Sequence, residues 1–109
     1  MTRTTAASKQ HLEQLIEEAT VDCYDEEEQA TGLFTMIEEN LALPFKTTIL
    51  GIEADVVSVD LDDARGLVAV CKAGRHRQRI ALGDLPLPSP PPAGAEWIAA
   101  YRLWAKGQH

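Results

Sequence analysis

Residues 45–85 read FKTTILGIEADVVSVDLDDARGLVAVCKAGRHRQRIALGDL, and the fold class turns on how this stretch is parsed. Four runs rich in Val, Ile and Thr alternate with turn signals: Phe45–Leu50, Asp55–Leu61, Gly66–Lys72 and Arg77–Leu82. β-branched residues suit a pleated, half-buried surface, and Gly and Asp supply the reversals between strands. The breaks fall at Gly51, at Asp62-Asp63-Ala64-Arg65-Gly66, at Ala73-Gly74 and at Gly83-Asp84, with a scrap of strand expected at Leu85. Connections this short predict antiparallel neighbours, hence a curled meander or a small SH3-like barrel.

The grammar changes on both sides. Upstream, Leu12, Leu15, Ile16 and Ala19 recur at helical spacing and predict a helix from Ser8, its N-cap, to about Val21. A second apolar stripe of Ala30, Leu33, Phe34, Ile37 and Leu41 predicts another helix to about Asn40, with Pro44 as its far limit. Asp25 followed three residues later by Glu28 is a variant capping box at its start. Downstream, Pro86, Pro88, Pro90, Pro91 and Pro92 make a stiff, extended connector over 86–94. The last segment, 95–106, stacks Trp97, Tyr101 and Trp104 at i, i+4, i+7, a face for docking on the core. The expectation is an α+β chain, one domain over 1–109, with a helical hairpin at 8–41, antiparallel strands at 45–85 and a C-terminal helix.

The chain has 17 acids and 10 bases, a net charge of −7, which argues against general affinity for nucleic acid or for an anionic membrane. The acids are concentrated. Residues 1–63 carry 15 of them against Arg3, Lys9 and Lys46, a net of −12, while 64–109 have a net of +5. Met1–Ala7 contains no apolar stretch suited to export, and Cys23 and Cys71 are too few and too distant for a disulfide framework. Free thiols in a reducing cytoplasm are the expectation.

Asp22 and the run Asp25-Glu26-Glu27-Glu28 place five acids within seven residues. The dipole at a helix N-terminus favours anions by about 0.3–1 kcal/mol each, and the capping box uses Asp25 and Glu28. Neither effect calls for the other three. A divalent cation would relieve their repulsion, and calcium accepts six to eight oxygen ligands from carboxylates, carbonyls and water. Glu38 and Glu39 lie in the last turn of the second helix, where the dipole disfavours them. Ten residues at about 1.5 Å each set Glu38 roughly 15 Å along the axis from Glu28, too far to share an ion through that helix. Asp60, Asp62 and Asp63 read first as a turn closing at Gly66.

Other chemistries lack their residues. Counting from Asp22 puts Glu27 and Leu33 where an EF-hand loop needs Gly and Glu, and counting from Asp60 fails equally. Cys23, Cys71, His11 and His76 form no zinc spacing. No Gly-rich phosphate loop occurs, and three histidines, one of them His109, support no nucleophilic triad. Arg75-His76-Arg77 and Arg79 form a basic cluster without the interleaved aromatics of a nucleic-acid surface. No enzyme is expected.

Asp22-Cys23-Tyr24, Glu27-Glu28, Ala30, Gly32, Ile37-Glu38-Glu39-Asn40-Leu41 and Pro44-Phe45 together resemble the cyanobacterial calcium-binding proteins of the CcbP-like family. Arg79 to Leu85 is similar to that family's last strand, and Glu96-Trp97-Ile98 through Trp104 to its C-terminal aromatic helix. The resemblance implies reversible Ca2+ binding by surface carboxylates, as a buffer or sensor. By position it carries over to Asp22, Glu27, Glu28, Glu38 and Glu39, beside the capping Asp25. Two departures stand out: Tyr24-Asp25 replaces the Asn-Gly that often follows the first Asp, and the hairpin region is shorter, without an acidic loop. The competing expectation is a protein-interaction module, with an acidic helical face that docks a protein partner and no physiological metal.

Overall fold

The computed structural model of the chain describes residues 8–107; the Met1–Ala7 stretch and His109 lie outside them. Helix α1 is Lys9–Thr20 and α2 is Glu26–Asn40. Ser8 caps α1, its hydroxyl accepting from the His11 N–H at 3.1 Å. The hairpin is tight because α2 carries Gly32 at the crossing, where a Cβ would stand 2.3 Å from the Ala19 carbonyl oxygen.

Strands β1 (Phe45–Ile49), β2 (Ile52–Asp62), β3 (Gly66–Ala73) and β4 (His76–Ala81) pair antiparallel in the order β1-β2-β3-β4. The chain therefore adopts the meander of the two expected forms. Among the described residues no β1–β4 pairing closes a barrel. β2 starts three residues before the expected Asp55, because Ile49 pairs with Ile52 across a two-residue turn. Leu50 and Gly51 there have φ of 51° and 80°, the left-handed pair of a type I′ hairpin. Register also shifts between Val56 and Ser58. The extra residue of this bulge puts Val56 and Val59, an odd number apart, into the same core. A 3-10 turn, Leu82–Asp84, takes the place of the scrap expected near Leu85.

The third helix, α3, is Ala95–Lys106. It packs with α1 and α2 on one face of the sheet, around Leu33, Ile37, Val56, Leu67, Leu82, Leu85 and Ile98, all almost fully buried. Its aromatic stripe docks inward as expected: Trp97 and Tyr101 are buried, the Tyr101 hydroxyl accepts from the Leu67 N–H, and the Trp104 indole donates to Gln29 at 2.8 Å. The Pro-rich connector lies beside outer strand β1, where the buried Thr47 hydroxyl donates to the Pro86 carbonyl. On the opposite face of the sheet, an Arg79–Asp60 ion pair bridges across β3. Among the described residues no helix is long and apolar enough to cross a membrane.

Candidate calcium-binding site

The turn between α1 and α2 together with the first turn of α2 holds four of the six candidate ligands, and the structure divides their roles. Asp25 adopts extended backbone and its Oδ1 accepts from the Glu28 N–H at 2.8 Å. Glu28 reaches back, its Oε1 accepting from the Tyr24 N–H at 2.8 Å. The box is therefore a variant: Asp25 satisfies a first-turn donor of α2, while Glu28 bonds the residue before the cap and pins the chain's approach to the helix. Asp22 is exposed with φ of 66°, a left-handed state that Asp tolerates better than most residues. Glu26 and Glu27 carry no such duty: they are exposed in the first turn of α2 and form no ion pair among the described residues.

Those two face something. A cleft of about 800 Å³ runs between the start of α2, the β2–β3 turn and the end of α3. Glu26 and Glu27 stand on one wall and Asp62 and Asp63 on another, with Tyr101 and Trp104 also lining it. Asp62 Oδ1 accepts from the Ala64 N–H at 2.8 Å and from the Arg65 N–H at 3.1 Å. These backbone bonds, the one from Ala64 first, hold its carboxyl below the usual carboxylate range, helped by the charges of Arg65 and Arg79. Asp62 is thus a committed anion with one oxygen outside the turn's own hydrogen bonds.

Of the six residues singled out in the sequence, only Glu27 lines this cleft. Asp22, Asp25 and Glu28 belong to the turn beside it, while Glu38 and Glu39 are exposed in the last turn of α2, remote from its first. Glu26, one of the acids that capping and dipole left unexplained, lines it too, and Asp62 and Asp63, read from the sequence first as a turn, join them. Their approach depends on the packing of α2 and α3 over a β turn more than 30 residues further along the chain, for which a single sequence has no local signal. Hard, ionised oxygens are the donor chemistry calcium takes, and neither Cys nor His lines the cleft. Among the described residues, however, no three Asp, Glu, His or Cys side chains are already gathered closely enough to hold a metal.

A family model described as calcium binding, the CcbP type, matches residues 13–105. The chain belongs to the CcbP calcium-binding family. The match covers α1 from residue 13, the acidic turn, the whole sheet and almost all of α3, so the family assignment embraces both walls of the cleft. No curated protein and no solved structure matches the chain.

Proposed function

We propose that this CcbP-family protein binds Ca2+ reversibly at the α2 end of the cleft, with Glu27 and Glu26 on one side and Asp62 and Asp63 on the other. The observation that carries the reading is the facing of two acidic segments from distant parts of the chain, one of them free of any capping role. Water and backbone carbonyls complete the six to eight oxygens calcium prefers, and bound calcium draws the two walls together. The turn residue Asp22 adds negative potential from outside the cleft, as do Asp25 and Glu28 through whatever oxygen the cap leaves exposed. Glu38 and Glu39, remote from the cleft, make at most a separate, weaker site. Binding without catalysis suits a buffer, or a sensor if wall closure is read by a partner.

Trp104 lines the same cleft and is a built-in reporter. Calcium is expected to change its emission and magnesium to do so only weakly, since magnesium demands a small octahedron and sheds water reluctantly. Glu27→Gln and Asp63→Asn each weaken the response by about tenfold or more, and Trp104→Phe removes the signal while calorimetry still detects the heat. Absence of heat at low millimolar calcium would sink the proposal, as would equal responses to both ions. A second reading, the protein-interaction module, draws on Tyr24, 88% exposed next to the acidic turn. It predicts that Tyr24→Ser leaves calcium binding intact and abolishes partner capture.

A further inference from the structure

We infer that the opposite end of the sheet, formed by the β1–β2 and β3–β4 hairpin tips, docks on an anionic lipid surface. In a meander these two turns share one end and the β2–β3 turn takes the other. The tip is built against ordinary rules. Leu50 occupies the first position of the type I′ turn at φ 51°, where Asn, Asp or Gly is preferred, and its side chain is 98% exposed. Ile52, just after the turn and paired with Ile49, is 62% exposed. A strained backbone and two bare aliphatic side chains, with no compensating contact, are a local cost that folding does not explain.

Below the tip, an apolar groove of about 440 Å³ continues between the hairpins, with Ile49, Ile52 and Ala73 among its lining residues. The helices leave this part of the sheet uncovered. Cations share the same end: Arg75 in the β3–β4 turn and, on the sheet face turned away from the groove, Lys72 and Arg77 paired in register, none of them in an ion pair among the described residues. The acids at this end are Glu53, which lines the groove, and Asp55, which is bound to Lys46, so Lys46, Lys72, Arg75 and Arg77 outnumber them four to two. A projecting apolar tip set among cations matches a surface it can sink into, whose headgroups are anionic. A stable protein partner would instead call for about 800 Å² of complementary surface on this side, a patch broader than one projecting hairpin tip.

The overall charge of −7 does not cancel this local complementarity. β2 runs 11 residues from Ile52 to Asp62, so the acidic cleft at Asp62 lies on the order of 30 Å from the tip. That is several Debye lengths at physiological salt, where the Debye length is about 8 Å. The proposal is independent of calcium binding, so the vesicle test below is run with excess EDTA throughout, and lipid binding that appears only when calcium is added back overturns it.

The test is co-sedimentation of the full chain with vesicles of phosphatidylcholine alone or with phosphatidylserine, at about 0.1 M salt. Wild type is expected to pellet only with the serine lipid. Leu50→Asn keeps a left-handed residue that the turn accepts, so it melts no lower than wild type, yet its partitioning falls by at least about tenfold. Arg75→Ala and Arg77→Ala each lower it by about fivefold. Leu50→Asn binding like wild type overturns the inference, as does the absence of lipid-dependent pelleting. A wild type that dimerises without vesicles through this tip, with Leu50→Asn monomeric, overturns it in favour of self-association.

Discussion

Gly32→Ala tests whether the helical hairpin is as close-packed as its crossing implies. A methyl group at this position would lie 2.3 Å from the Ala19 carbonyl oxygen and 3.3 Å from its carbon, where contacts under 3.0 Å essentially do not occur. The helices would have to part by about 0.7 Å or more, and the obstacle is helix backbone, which cannot rotate aside as a side chain can. Overpacking of this kind costs about 1–3 kcal/mol. Replacing a helical Gly by Ala returns up to about 1 kcal/mol in propensity, and the backbone obstacle points to the upper part of the cost, so the net is a loss of roughly 1–2 kcal/mol. For a domain of about 100 residues, that lowers the melting temperature by roughly 5–15 °C. Thermal unfolding followed by circular dichroism reads it directly. Gly83→Ala is the control: no heavy atom lies within 4 Å of its new Cβ, and it should melt within about 0.5 kcal/mol of wild type. A Gly32→Ala protein as stable as wild type, or more so, would refute the packing argument, because propensity would then outweigh a contact the backbone cannot evade.

Asp25→Ala should cost about 1 kcal/mol through the lost cap and still show a calcium-induced rise in melting temperature; disappearance of that rise would make Asp25 a ligand instead. The carboxyls of Asp60, bonded first by Arg79, and Asp62 are both held below their ordinary range. Their contribution is therefore full above about pH 4 and is lost as pH falls through the lowered values, and Asp62→Asn should flatten the acid limb of a melting-temperature profile. Cys23 and Cys71 should both titrate in denaturant, but in the native protein Cys71, buried with its thiol pushed up by that burial, should react far more slowly than Cys23.

The fold was legible wherever local chemistry and tertiary structure agree. Ser8 and Asp25 mark the helix starts because their side chains bond backbone groups three residues away, a relation contained in the sequence itself. The start of β2 was not legible, because Leu50 takes a left-handed turn state that its side chain disfavours. The bulge at Val57 was hidden as well, since Val56-Val57-Ser58-Val59 fits either register until the core chooses.

The site separates along the same line. That the acidic run at 25–28 caps α2 follows from spacing, and the structure bears it out for Asp25 and Glu28. What spacing cannot supply is the use of the remaining charge. Glu26 and Glu27 bond no backbone donor with their carboxylates among the described residues, and they line one cleft with Asp62, an anion held ionised by its own turn. Four acids against Arg65 leave the lining of the cleft net negative, a modest cost to the native state even though, among the described residues, no three carboxylates are gathered closely. A cation entering the cleft removes that cost, so folding and calcium binding are coupled in this reading. Neutralising Glu27 should then stabilise the calcium-free protein while weakening calcium binding, a pair of opposite effects that a merely solvated acidic face does not predict.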